Sequence, residues 1–314
     1  MGIHCDYDAE WAANSRRSAT SRDRDTSASG YTSPRQSSTA RWKFDKPVSN
    51  AVTTAIQAAM SFSTIEFYPG PRVASIVLNR PPMNVINCEM LNDLHAAWDE
   101  VEGLQAQVVV ISGAGDTAFS TGVDIADHMP DRIGPSLKKF HELILRMRRS
   151  DCITIAAIHG HALGGGAELA MMCDFIIAAD DTRIGQPEIS LACYPPVAAA
   201  HLPSAIGLHN ASEMVLLGEP IDAARAERLG LVNRVVPKAE RDAAVDSYVD
   251  KLLMKSSVAL ALAKRSLRDA VGDQFEKALA RSEQLYLTEL VRSDDMVEGV
   301  RSFLEKRPPS WKNS

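Results

Sequence analysis

From Thr64 onward the chain alternates short apolar, β-branched runs with longer stretches whose apolar residues recur at helical spacing. Val73–Leu78 (VASIVL) predicts a strand, closed by the turn signal Asn79-Arg80-Pro81-Pro82. Over residues 88–101 the apolar positions Met90, Leu91, Leu94, Ala97, Trp98 and Val101 follow the helical period. Residues 108–112 (VVVIS) read as a buried strand, residues 137–147 as an amphipathic helix, and Ile153–Ile158 as a third strand ending at His159-Gly160-His161. Residues 167–172 then predict a helix and Phe175–Ala179 a fourth strand. Such alternation implies crossover connections and a mostly parallel sheet covered by helices. Beyond Leu191 the only strand signal is at 231–236, and helices are predicted over 210–217, 223–229, 238–254, 257–271, 273–290 and 294–305. The expected architecture is an α/β core over 61–255 followed by a helical C-terminal subdomain over 256–314.

Residues 1–60 break this pattern. They carry eight Lys/Arg against six Asp/Glu, are rich in Ser and Thr, and show no apolar periodicity, so a disordered extension is expected. The Arg/Ser-rich stretch 14–41 has the composition of a transit peptide, but Asp6, Asp8 and Glu10 precede its first basic residue, and such peptides are poor in acid. Met60 offers an alternative start just before the first strand-like run. A cytoplasmic location is therefore expected over a mitochondrial one. With −6 for the whole chain, residues 61–314 hold −8, which gives no footprint for nucleic acid. Charged residues interrupt every apolar run short of a membrane span. Cys5, Cys88, Cys152, Cys173 and Cys193 are scattered, which predicts reduced thiols and no zinc site.

The chemistry concentrates in His159–Glu188, HGHALGGGAELAMMCDFIIAADDTRIGQPE. Gly164, Gly165 and Gly166 follow a buried strand and open a helix, where unpaired N–H groups favour negative charge. No Gly-Lys-Ser/Thr follows, so this is not a phosphate loop. Glu168 on its own reads as a helix-end carboxylate. Its neighbours Ala167, Leu169, Ala170, Met171 and Met172 are all apolar, however, and such surroundings raise a carboxyl pKa. Glu188 follows in Gly185-Gln186-Pro187-Glu188, again beside an apolar stretch. A third element, Ala118-Phe119-Ser120-Thr121-Gly122-Val123-Asp124, places a glycine turn beyond a strand and can offer a second inward N–H. His128 reads as a solvated loop residue, His159 and His161 as turn packing rather than metal ligands, and Met171-Met172 as core filler.

These segments, FSTGVD, GHALGGGAELAMMCD and GQPE, with the closing Asp294-Asp295, Glu298-Gly299 and Phe303–Arg307, resemble the enoyl-CoA hydratase/isomerase (crotonase) family over residues 64–312. The resemblance implies a crotonase-like fold of ββα-type crossover units. It implies an oxyanion hole made by the backbone N–H groups of Val123 and Gly165, and a water held between Glu168 and Glu188 as acid and base. Gly122, Asp124, Gly164, Tyr194 and Pro195 are the expected substrate-lining positions. No metal or separate cofactor is implied, since coenzyme A arrives with the acyl substrate, and family members are commonly trimers or dimers of trimers. Both glutamates are present, which favours hydration over double-bond isomerisation. A non-catalytic acyl-CoA-binding homologue would be expected to lack one of them. The chain departs from typical hydratases at Leu191–Ala199 (LACYPPVAA), where the double proline is expected to stiffen a loop beside the acid. That stretch and FSTGVDIADHMPD resemble cyclohexa-1,5-diene-1-carbonyl-CoA hydratases, which suggests a compact cyclic acyl group.

Overall fold

A computed structural model describes residues 60–314; of the extension expected over 1–60, residues 1–59 lie outside the described residues, and Met60 belongs instead to the first strand, where it pairs with Phe67. The strands are β1 (Met60–Ser61), β2 (Ile65–Tyr68), β3 (Val73–Leu78), β4 (Val108–Gly113), β5 (Ala118–Ser120), β6 (Ile153–Ile158), β7 (His161–Leu163), β8 (Phe175–Ala179), β9 (Arg183–Gly185), β10 (Ile221–Asp222) and β11 (Arg234–Val236). The helices are α1 (Cys88–Leu104), α2 (Ile133–Arg149), α3 (Gly165–Met171), α4 (Pro196–Ile206), α5 (Leu208–Ser212), α6 (Ala223–Arg228), α7 (Arg241–Leu253), α8 (Ser257–Ala270), α9 (Gln274–Thr288) and α10 (Asp294–Leu304).

Seven strands form the main sheet in the order β1-β2-β3-β4-β6-β8-β11, antiparallel through β3 and parallel from β3 onward. Its central strands are apolar on both faces, because both faces are covered. Val109 and Ile111 of β4, with Ala156 and Ile158 of β6, enter the large core beneath α1 and α2. Val108, Val110, Ile155 and Ala157 point the other way, into a smaller core with Val245 and Val249 of α7. Side chains alternate across a strand, so one apolar run serves two cores. The α/β fold with a helical C-terminal region agrees with the sequence pattern. α9 packs on α4 and α2.

The differences lie in short elements. A second sheet, β10-β9-β7-β5, is built from strands of two or three residues, too short to show a period. β2 pairs antiparallel with β3, although no strand was expected there. Residues 213–217 form a wide π turn after α5 rather than continuing an α-helix. Residues 238–240 make a separate tight turn before α7. The largest correction concerns Pro195-Pro196. They do not stiffen a loop but start helix α4, with Pro195 as its cap and Pro196 in its first position. Proline suits that place because the first helical N–H has no intrahelical acceptor to lose.

Candidate active site

The small sheet positions the chemistry. β5, β7 and β9 run parallel, so their carboxyl ends share one edge. Ser120 leads to Gly122-Val123, Leu163 to Gly164-Gly165, and Gly185 to Gln186-Pro187-Glu188. Three segments far apart in sequence are thus delivered to one place, beyond the strand ends where ligands of α/β sheets sit.

The two segments expected to supply N–H donors lie close together at this edge. Ile86 N–H donates to Gly122 O at 2.8 Å, and Asp124 N–H donates to Ile86 O at 2.9 Å. This bridge turns the intervening Val123 N–H to the opposite side, where Gly165 lies. A Cβ on Gly165 would stand 3.4 Å from Val123 N and 2.9 Å from Val123 Cγ2. Gly165 opens α3, so its own N–H belongs to the first turn and lacks an intrahelical acceptor. Gly164 has φ 52 and ψ −130, a conformation that side chains rarely adopt. A Cβ there would come within 2.4 Å of Glu188 Oε1, so the missing side chain lets the carboxyl rest on the backbone.

Both glutamates sit in apolar surroundings, but they are held differently. Glu168, 4% exposed, lies in the first turn of α3. Ala198 N–H donates to its Oε1 at 2.8 Å, and Val197 N–H is a second donor. Both donors are free N–H groups of the first turn of α4. Burial raises the Glu168 pKa, and these two donors pull it part of the way back. Glu188 is half-buried as a residue, yet its Oε2 is sealed and has no partner among the described residues. Burial raises its pKa, the Glu168 charge raises it further, and its own N–H offsets little of this. Two carboxylates this close do not both ionise cheaply, so they titrate as a pair. The donors on Glu168 favour charge there.

Other expected residues take supporting places. Asp124 Oδ1 accepts from Ala126 N–H at 3.0 Å and caps the turn Ile125–His128. Tyr194 OH donates to Ser282 O at 2.7 Å, so its side chain is turned onto α9. Pro195 is buried as the cap of α4. His128 is not a solvated loop residue: its Nδ1 lies 3.1 Å from Asp124 O, and burial lowers its pKa. His159 packs in its turn with Nδ1 2.6 Å from Arg241 Nη1, and burial next to that guanidinium lowers its pKa to about 4. Met171 and Met172 fill the core.

Two contributors went unforeseen. The N-terminus of α4 was hidden because its prolines read as loop; Pro-Pro followed by Val-Ala-Ala-Ala is its signature in retrospect. Gln186, fully buried and two residues before Glu188, keeps both amide atoms sealed and without a partner among the described residues. Sequence offers no signal that separates it from an ordinary polar turn residue.

A family model described as enoyl-CoA hydratase/isomerase matches residues 70–314. A cyclohexa-1,5-dienecarbonyl-CoA hydratase of Thauera aromatica is 34% identical over 236 residues, covering 75% of this chain and 91% of that protein. A crotonyl-CoA hydratase of Syntrophomonas wolfei is 33% identical over 261 residues, covering 80% and 99%. The crystal structure of an enoyl-CoA hydratase from Mycobacterium avium subsp. paratuberculosis superimposes with a TM-score of 0.72 at 28% identity, covering 80% of this chain and all of that one.

Proposed function

The chain belongs to the enoyl-CoA hydratase/isomerase family, and from that membership we propose that it adds water across the conjugated double bond of an enoyl-CoA thioester. The thioester oxygen accepts from the N–H groups of Val123 and Gly165. Glu168, as carboxylate, takes a proton from water while the water oxygen bonds to the β-carbon. The π electrons move to the thioester oxygen, where the two N–H groups stabilise the enolate. Glu188 then gives its proton to the α-carbon as the carbonyl re-forms. Glu168 has gained the proton that Glu188 has lost, and proton exchange within the pair resets the site. One N–H donor of this kind is worth about 10²–10³ in rate, and a positioned acid or base about 10²–10⁴.

The observation that carries this reading is the unequal holding of the two buried carboxyl groups. Two backbone donors keep Glu168 suited to be the base, whereas the unpartnered Oε2 of Glu188 suits the acid. Double-bond isomerisation needs only the Glu188 position, and in that reading the donors on Glu168 would have no task. A non-catalytic acyl-CoA-binding role would likewise leave the pair unexplained.

For the acyl group, a compact ring is the leading candidate. Its support is the likeness to the Thauera aromatica hydratase and the resemblance of the run from Phe119 to Asp131 to hydratases of that kind. A homotrimer or dimer of trimers in the cytoplasm completes the proposal. Among the described residues no helix is long and apolar enough to cross a membrane. The test is a turnover panel of linear, branched and cyclic enoyl-CoA esters with product stereochemistry. Rapid hydration of crotonyl-CoA with no turnover of the cyclic dienoyl ester removes the ring assignment; turnover of none removes the hydratase reading.

A further inference from the structure

Beyond the glutamate pair the chain builds a small apolar cluster, separate from the main core, that includes Ile125, Met129, Leu191, Cys193, Val291 and Tyr286. It begins two residues after Val123 and three after Glu188. Glu188 lies near enough to Tyr286 for its charge to raise the phenol pKa, so the cluster adjoins the place where the α-carbon of a bound acyl group would stand. Most members are only half-buried, so the cluster is a wall reached from outside and not a closed core.

Tyr286 is out of character there. It is 1% exposed, and its hydroxyl is sealed without a hydrogen-bond partner among the described residues. Cys193 Sγ lies against it, but a thiol is a weak acceptor, and this one directs its own hydrogen to Leu191 O at 3.5 Å. Tyr194, with its ring centroid 5.2 Å from that of Tyr286, spends its hydroxyl on Ser282 O. Burial raises the Tyr286 pKa far above the phenol range and that of Cys193 to about 12, so both stay neutral. The ring is also held firmly. One turn earlier on α9, Glu283 pairs with the buried His141 of α2, and the Tyr194 bond ties the same helix to the loop after Glu188.

A buried phenol with no protein acceptor is completed by a water or by a ligand oxygen. We propose that Tyr286 is a specificity-determining residue whose hydroxyl donates to an uncharged oxygen, hydroxyl or keto, carried by the acyl group, ring or chain, away from its reacting double bond. A carboxylate is disfavoured because the apolar, buried surroundings of Tyr286 would desolvate its charge. A site built around such a donor discriminates against analogues that lack the oxygen, because they leave the donor unpaired.

This inference rests on the hydratase reading, and one experiment separates the two. Wild type and Tyr286→Phe are assayed on a chain-length series of 2-enoyl-CoA esters, each with its ω-hydroxy and (ω−1)-oxo counterparts, and on a cyclic dienoyl-CoA with and without a ring hydroxyl. The expected result is an oxygenated ester preferred by about tenfold to a hundredfold in kcat/KM, with the preference erased in Tyr286→Phe. Hydration without any oxygen preference in wild type overturns the inference and spares the hydratase reading. So does a preference that survives in Tyr286→Phe. Because the wild-type comparison needs no variant, the outcome does not depend on how the phenylalanine protein folds. If no ester is hydrated, both readings fall together.

Discussion

Replacing Gly164 with alanine adds one methyl group at the point where Glu188 rests on the backbone. The new Cβ would stand 2.4 Å from Oε1 and 3.2 Å from the carboxyl carbon of Glu188, against about 3.4 Å for ordinary contact. The carboxyl must therefore withdraw by about 1 Å. Misplacement on that scale costs about 10² in rate, or about 2.7 kcal/mol of transition-state stabilisation. At φ 52 and ψ −130 the alanine is strained as well, which costs on the order of 1–3 kcal/mol of stability. For a domain of this size that lowers Tm by roughly 2–4 °C per kcal/mol. Two measurements separate the effects: kcat for hydration of crotonyl-CoA well below Tm, and the thermal unfolding midpoint. The expected outcome is a kcat loss of about a hundredfold with KM nearly unchanged and a Tm lower by several degrees. An alanine protein with wild-type kcat would show that the Glu188 carboxyl need not lie against Gly164, and the proton-donor geometry would fail.

Stability should also follow the buried pair. The raised pKa of Glu188 means that the folded state holds a proton which the unfolded chain, with a carboxyl near 4.5, has already released. Stability contributed by that group is therefore lost as pH rises from the ordinary carboxyl range toward the raised value. Glu188→Gln removes this dependence, so its Tm should exceed wild type by a margin that widens from pH 5 to pH 8; a constant or reversed margin in a pH series of melts refutes the shift. Ala198→Pro deletes the N–H that donates to Glu168 at 2.8 Å, at a first-turn position where no intrahelical bond is lost. It should raise the Glu168 pKa further, moving the acid limb of the kcat profile upward and lowering kcat by about tenfold, as pH-rate measurements would show. On α8, Val258, Leu262 and Leu267 are more than half exposed, as is its C-cap residue Val271. In the proposed homotrimer, Leu262→Glu with Leu267→Glu should lower the mass seen by light scattering to that of a monomer, and an unchanged mass removes that helix from the proposed subunit interface.

Much of this molecule was legible in its sequence because its main strands and helices are long and apolar. Val73–Leu78, Ile153–Ile158 and Phe175–Ala179 fall where their β-branched runs predict, since a strand buried on both faces needs an unbroken apolar run. The three-residue strands of the second sheet escaped, because alternation needs about four residues to appear. Their absence mattered: they, and not the long strands, bring Val123, Gly165 and Glu188 to one edge. Glu168 and Glu188 stood out as acids in apolar settings. What holds Glu168 did not, because the donors are backbone groups at Val197 and Ala198 and every residue has an N–H. Tyr194 looked like pocket wall beside Glu188, but a hydroxyl within reach of Ser282 O turns the ring to α9. Tyr286, nearly a hundred residues beyond Glu188, has no local motif; only the folded cluster marks its sealed hydroxyl.

In the proposed mechanism Glu168 and Glu188 divide base and acid work on an enolate held by backbone donors. The most direct measurement is the hydration rate of crotonyl-CoA by Glu168→Gln and Glu188→Gln, alongside the affinity of each for a saturated acyl-CoA ester. Each variant should lose about 10²–10⁴ in kcat and keep ester binding within a few-fold. The double variant should be scarcely worse than either single one, because the two groups act as a unit. Hydration that persists near the wild-type rate in either single variant contradicts the account.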